Sequence, residues 1–362
     1  MFSLNEIIQA EFFYVWDNWG FVSHDGVLHI YAQYCEKSLC VLPEDRYWNV
    51  HIEHFISLDH GKTFKQRGPV IQKSLDREAF DSYNIWSGCA IPLEDEKVLA
   101  LYTGLKLPKE SLESDRKYAL QSIGGAISED GGYTFSKLDR PLISPIRDYE
   151  LLQEKGYYLG PIETLGAIDD PDGTFMCLRD PEVFIEDHTL HIIFGAKAVQ
   201  HIDGKNIIRN AIGHAIIKDL DNIESLEIQR PLFIAKENDY NQLELPNLIK
   251  WKEYFYLIIS TTKLDYIGQP DVEVEKTVRV YRSTQLIDGD WEPFGKDGEH
   301  IILKNKIHKL YGPKLIHMSA KNGVYFFRPF VIGETYAPPT IGIDFFGSKA
   351  KVLYNIVSNE YV

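Results

Sequence analysis

The sequence predicts an all-β protein, a five-bladed β-propeller with a funnel-shaped site at its centre. Three observations carry that expectation. Short strand-like runs recur along the whole chain, an eight-residue turn motif occurs twice, and polar residues with no packing use return at one phase of the repeat.

The runs are bounded by Gly, Pro, Asn and Asp. They fall at 26–34 (GVLHIYAQY), 49–57 (NVHIEHFIS), 97–105 (KVLALYTGL), 189–198 (TLHIIFGAKA), 254–261 (YFYLIIST), 278–284 (VRVYRST), 323–332 (GVYFFRPFVI), 340–347 (TIGIDFFG) and 351–357 (KVLYNIV). Their β-branched and aromatic content suits a pleated surface. Long amphipathic helical patterns are scarce, and 5–13 and 219–226 read as short peripheral helices. So many short strands point to a sandwich, barrel or propeller.

The repeated motif is S-x-D-x-G-x-T-F, as SLDHGKTF at 57–64 and SEDGGYTF at 128–135, 71 residues apart. Its Asp can bond the turn amides, its Gly can take a positive φ, and its aromatic ring can tuck under the hairpin. The motif resembles the Asp box on outer strands of sialidase-type propeller blades, where it is structural. Asp59 and Asp130 are therefore assigned no catalytic role. The 71-residue offset suits one four-stranded blade with long connections. Five such groups begin near residues 12, 82, 174, 242 and 310, so that 1–362 reads as a single propeller domain. A division into six would need blades of about 60 residues. The polar insertion at 144–173 is expected to be a rim loop, and the chain end at 351–362 to close the ring beside the first group.

Composition narrows the partner. A net charge of −15, from 53 acidic and 38 basic residues, argues against nucleic acid, which needs a basic face. It fits a neutral small molecule, and the 13% aromatic content suits both sugar stacking and ordinary strand packing. The four cysteines, Cys35, Cys40, Cys89 and Cys177, show neither CxxC spacing nor a Cys/His zinc pattern. Reduced thiols, no metal and no cofactor are expected. His51 and His54 are three apart and would lie on opposite faces of a strand, and the run at 304–309 (KNKIHK) reads as a solvated loop. Residues 1–13 carry Glu6 and Glu11 without a basic segment, and no apolar run spans a membrane, so a cytoplasmic location with no membrane partner is expected.

The first strand of each group holds the unusual residues. They are Asp17 in VWDNW, Trp86 and Ser87 in IWSGCA, Arg179 and Asp180 in LRDPEVF, Glu244 in QLELPNLI, and Tyr311 in LYGPKLI. From Asp17 through Ser87, Asp180 and Glu244 to Tyr311 the spacings are 70, 93, 64 and 67. Taken singly, each has a bland reading: an Asp as a turn former, RDP as a turn with an internal ion pair, a Glu before Leu-Pro as a solvated strand end, and Trp86 as core. Their shared phase favours three carboxylates and an arginine converging on one funnel.

In this order, VWDNW, WSGC, RDP and LELP resemble the motifs of levansucrases, inulosucrases and related β-fructofuranosidases of glycoside hydrolase family 68, over residues about 14 to 315. The resemblance implies a five-bladed propeller and fructosyl transfer from sucrose, to water or another sugar, through a covalent intermediate. It implies Asp17 as nucleophile, Glu244 as general acid/base and Asp180 as the carboxylate that grips fructosyl hydroxyls. Arg179, Trp16, Trp86 and Ser87 would shape the pocket, with Tyr311 near it, and Ser87 would steady Asp17.

The reaction needs these residue types. An oxocarbenium-like transition state requires one ionised carboxylate beneath the anomeric carbon and one protonated at the leaving oxygen. This sequence departs from the family's DEIER run, reading NQLEL at 241–245. Gln242 replaces a sugar-binding carboxylate, and Leu245 replaces an arginine that would contact the leaving group. Asn241 argues against a calcium site there. Hydrolysis with short products is therefore expected. A propeller glycosidase with another glycone, such as an arabinofuranoside, and a catalytically silent sugar-binding propeller stand as alternatives.

Overall fold

A computed structural model describes residues 2–3, 12–59, 63–107, 119–166, 176–236, 240–263, 274–294, 301–303, 312, 314–319, 323–327, 341–344 and 351–353. Tyr311 and the 304–309 run lie outside the described residues, as does most of 5–13.

The chain folds into successive antiparallel sheets in a β-propeller arrangement. The first has the order β1-β5-β4-β3-β2, from β1 (Phe2–Ser3), β2 (Phe13–Val22), β3 (Leu28–Glu36), β4 (His51–Ser57) and β5 (Thr63–Ile71). The second runs β6 (Asn84–Pro92), β7 (Val98–Lys106), β8 (Leu120–Ser128) and β9 (Ser136–Lys137). The third holds β10 (Leu178–Glu186), β11 (Thr189–Ile202), β12 (Lys205–Ile217) and, both on β12, β13 (Glu227–Ile228) and β14 (Phe233–Ile234). The fourth holds β15 (Gln242–Trp251), β16 (Tyr254–Lys263) and β17 (Glu275–Ser283), with β18 (Glu292–Pro293) and β19 (Ile301–Leu303) both on β17. The backbone also pairs β20 (Lys314–Ser319), β21 (Gly323–Phe327), β22 (Ile341–Asp344) and β23 (Lys351–Leu353). Strand order in each sheet follows chain order from the innermost strand outward, with β1 returning to the edge of β5.

The sheets bury both faces, which is why their strands read as continuous apolar runs. In β7, Val98, Ala100 and Tyr102 pack with the first sheet while Leu99 and Leu101 pack with the third. In β11, Ile192 and Phe194 face the second sheet, and Ile193 faces the fourth. This two-residue alternation is the side-chain period of a strand.

Both turn motifs are built as expected. Asp59 accepts from the Thr63 amide at 2.8 Å and hydroxyl at 2.7 Å, and Asp130 does the same with Thr134 at 2.9 and 2.7 Å. They lie between β4 and β5 and between β8 and β9, on outer strands. Phe64 is buried beneath the first, and Gly132 (φ +94°) takes the left-handed turn in the second. His54 faces His29 at 3.1 Å while His51 meets Glu53 at 3.0 Å, so the two histidines do point to different partners.

The described part of the insertion at 144–173 is more ordered than the expected rim loop: it forms a short helix (Tyr149–Glu154) and buries Leu152, Tyr157, Leu159 and Leu165 in the core shared by the second and third sheets. The Tyr157 hydroxyl accepts from the His214 amide at 2.9 Å and donates to the Gln229 carbonyl at 3.0 Å, joining the insertion to the third sheet. Four apolar anchors among many polar residues sufficed to fold it inward.

Candidate active site

The innermost strands β2, β6, β10 and β15 stand side by side, β6 against β2 and β10, and β10 against β15. Each carries a β-bulge at the same place. Pairing skips Asp17 in β2, Ser87 in β6, Asp180 and Pro181 in β10, and Leu245 and Pro246 in β15. A bulge leaves residues out of the ladder and re-aims their side chains and amides. Here it does so with strained backbone, at Asp17 (φ +21°), Asp180 (φ +57°) and Leu245 (φ +51°). Left-handed conformations at non-glycine residues collect where a site demands them.

The bulges meet around Asp180, which is buried. The Ser87 hydroxyl donates to Asp180 Oδ1, the Leu245 amide donates to Oδ2 at 3.3 Å, and the Asp180 amide donates to Thr103 Oγ1 at 2.9 Å. Arg179, also buried, points its guanidinium toward β15. Nε donates to Glu244 Oε1 at 3.0 Å, Nη2 lies 2.9 Å from the same oxygen, and Nη2 donates to Gln242 Oε1 at 3.2 Å. Gln121 on β8 supports it, accepting from the Leu178 amide at 3.0 Å and from Arg179 Nη1 at 3.5 Å.

Asp17 reaches this cluster through Gly312. A Cβ on Gly312 (φ +60°) would lie 2.6 Å from Leu245 Cδ1 and 3.3 Å from Asp17 Oδ1. The glycine is thus required both by its φ and by the approach of two bulges. Its amide donates to Ser260 Oγ at 2.8 Å. Gln33 steadies Asp17, its Nε2 donating to Asp17 Oδ2 at 3.1 Å.

One expectation changes. Ser87 was expected to steady Asp17, but its hydroxyl goes to Asp180: β6 lies between β2 and β10, and the bulge turns the Ser87 side chain to the β10 side. Leu245, which stands where the family's arginine would contact the leaving group, is buried against Gly312 and contributes its amide to Asp180.

The aromatic residues form the wall between β2 and β6. Trp16 is buried, edge-on to Tyr47 at 6.0 Å, with the Arg46 guanidinium 5.6 Å from its ring. Half-buried Trp86 donates its indole N–H to the Tyr47 carbonyl at 2.7 Å, and its ring lies 5.7 Å from Trp48. Asn84 donates to the same carbonyl at 2.7 Å, so the segment carrying Tyr47 and Trp48 is tied to β6.

The electrostatics divide the charged groups by task. Burial raises the Glu244 carboxyl above its ordinary value; Arg179 opposes the shift and Asp180 adds to it. A carboxyl whose pKa is raised is what a general acid needs. Burial works against the charge on Arg179, but the neighbouring Cys177, Glu244 and Asp180 outweigh it and hold the guanidinium protonated. Beneath them, buried Lys197 on β11 donates to Asn210 Oδ1 at 2.9 Å and to the Asn241 carbonyl at 2.6 Å. Burial brings its ammonium down to about 8.

Asp180, Arg179, Glu244, Gln242 and Ser87 are thus in direct contact, Asp17 adjoins them across Gly312, and Trp16 and Trp86 wall the same strands. Sequence reasoning missed Gln33, Thr103, Gln121 and Lys197. Each is a buried polar residue inside a largely apolar strand, and that is the signal by which it could have been found.

The chain matches the model of the glycosyl hydrolases family 32 N-terminal domain over residues 8–269. It belongs to glycosyl hydrolase family 32. The motif resemblance was to family 68, and solved structures similar to this one include a levansucrase, an inulosucrase and a sucrose-6-phosphate hydrolase. The levansucrase of Bacillus subtilis, solved in complex with oligosaccharides, is 16% identical over 96% of this chain and 87% of its own, with a TM-score of 0.66. The inulosucrase of Halalkalicoccus jeotgali, bound to kestose, is 17% identical over 95% and 88%, also at 0.66. The sucrose-6-phosphate hydrolase of Lactobacillus gasseri is 17% identical over 86% of this chain and 53% of its own, at 0.56. At these identities the likeness is one of fold. No curated protein sequence matches the chain.

Proposed function

We propose that this family 32 protein is a retaining β-fructofuranosidase-type enzyme that acts on sucrose or a related fructo-oligosaccharide, mainly by hydrolysis. The observation that carries the reading is the contact set of Ser87, Asp180, Arg179 and Glu244, in which burial favours the protonated form of Glu244. In the first step the Asp17 carboxylate attacks the anomeric carbon of the fructosyl unit. The glycosidic C–O bond breaks, and Glu244 gives its proton to the leaving oxygen. In the second, Glu244 takes a proton from water as that water displaces Asp17, so the configuration is retained. Asp180, buried and oriented by Ser87 and Leu245, grips the sugar hydroxyls that bind more tightly in the transition state. Gln242, already engaged by Arg179, offers an amide where a second carboxylate would bind sugar, which favours short products over polymer.

We also propose that residues 1–362 form one five-bladed ring, because β20 lies against both β2 and β15 and carries its own bulge after Leu315. Tyr311, just before Gly312, would border the site.

The test is sugar release from sucrose, raffinose, inulin and aryl arabinofuranosides, with the anomeric form of the product followed by NMR. Fructose released with retention, and abolished by Asp17→Ala, is the expected result. Activity on the arabinofuranoside alone would move the reading to another glycone. Inverted product, or full turnover without Asp17, would overturn the mechanism.

A further inference from the structure

Cys35 and Cys40 meet at the end of β3 in the first sheet. Cys35 is the penultimate residue of β3, is fully buried, and pairs across the ladder with Tyr14, three residues before Asp17. Cys40 follows a single 3-10 turn (Lys37–Leu39) and is half-buried. Their sulfurs are 3.5 Å apart, and both point at the Glu36 carbonyl, at 3.4 and 3.8 Å. The turn between them and the residue that follows Cys40 are accessible, since Leu39 is 57% and Val41 94% exposed.

We propose that Cys35 and Cys40 are a dithiol that closes reversibly into a disulfide and thereby sets the segment that walls the candidate active site. Closure needs the sulfurs to approach from 3.5 Å to about 2.05 Å, a movement a single exposed turn can absorb. The movement has a path inward. The Val41 and Leu42 amides both donate to Asp45 at 2.8 Å, Asp45 adjoins Arg46, and the Arg46 guanidinium lies 4.0 Å from the Tyr47 ring and 5.6 Å from that of Trp16.

The chemistry assigns unequal roles. Burial, reinforced by Cys40, pushes the Cys35 thiol up to about 12, so it is a poor first nucleophile. The more accessible Cys40 thiolate attacks a low-molecular-weight disulfide such as oxidised glutathione, forming a mixed disulfide and releasing one thiolate. Cys35 then loses its proton and attacks the Cys40 sulfur, expelling the second thiol. Two protein thiols are oxidised and one small disulfide is reduced to two thiols.

The full chain is incubated under native conditions with oxidised glutathione, quenched with acid and digested with trypsin. Trypsin cuts after Lys37 and Arg46, so the crosslink joins peptides 1–37 and 38–46. The expected species is this pair, two hydrogens lighter than its reduced parts, lost on dithiothreitol and absent from Cys40→Ser, while Cys89 and Cys177 remain free. Amide exchange over 41–47 is expected to slow at least fivefold in the oxidised protein. A glutathione adduct at Cys40 that never resolves would overturn the pair, and a crosslink with unchanged exchange would overturn its effect on the wall. Neither readout depends on the proposed reaction, so their failure is separate from its failure.

Discussion

Ser87→Ala isolates the bond between two bulges. Ser87 is fully buried, and its hydroxyl donates to Asp180, while its backbone carbonyl accepts from Thr103 Oγ1 at 3.2 Å and is untouched by the substitution. Asp180 would keep the Leu245 amide at 3.3 Å and the Arg179 guanidinium at 3.8 Å. A hydrogen bond to a charged group contributes about 1.5–3 kcal/mol net. If Asp180 acts mainly on the transition state, that loss appears in kcat/KM as roughly 10- to 150-fold, at tenfold per about 1.4 kcal/mol. The variant should also lose about 1–2 kcal/mol of unfolding free energy, because a buried acceptor loses a donor and a small void replaces an oxygen. Steady-state kinetics on sucrose and urea unfolding measure the two separately. If unfolding free energy falls while kcat/KM stays within twofold of the parent, the bond is packing and Asp180 is not positioned by it. If neither changes, the bulge contact itself is wrong.

The remaining predictions concern charge and backbone at the same ring. With Glu244 as the acid, activity on sucrose falls as pH rises through its raised pKa; Arg179→Gln should move that alkaline limb up and Asp180→Asn should move it down in the residual activity, following the signs of their effects on Glu244. Persistence of an unshifted limb in Glu244→Gln would assign it elsewhere. Gly312→Ala should cost about 1–2 kcal/mol through its φ of +60° and reduce turnover further by crowding Asp17 and Leu245, and unchanged turnover would remove Gly312 from the site. Lys197→Met leaves the Asn241 carbonyl without this donor and should destabilise the fold by about 1–3 kcal/mol at pH 7. Lys197 titrates near 8 in the fold against an ordinary 10.5, so the unfolded chain binds more protons between those values and the parent should gain stability there as pH rises. The variant should lack that gain in unfolding measured from pH 7 to 10.5, and an equal gain in both would place the effect on another group.

Much of this protein was legible in its residues one strand at a time. The strand runs and the two aspartate turns announce themselves locally, and the carboxylates Asp17, Asp180 and Glu244 do so through their shared place at the first strand of successive groups. The pairing of those residues was not legible. Ser87 meets Asp180 across 93 positions and Arg179 meets Glu244 across 65, and which bulge faces which neighbour follows from the juxtaposition of sheets rather than from any spacing. For the same reason the sequence suggested that Ser87 serves Asp17, where the fold gives that place to Gln33. Gly312 reads as an ordinary turn glycine until Leu245 and Asp17 close on it from two other strands. Cys35 and Cys40 match no spacing rule, yet a single 3-10 turn brings their sulfurs together. The sequence by itself determined which side chains must leave the core, through the two-residue period that buries their neighbours. Only the tertiary structure decided their partners, because a bulge re-aims a side chain by local backbone geometry while the group that receives it arrives from another sheet.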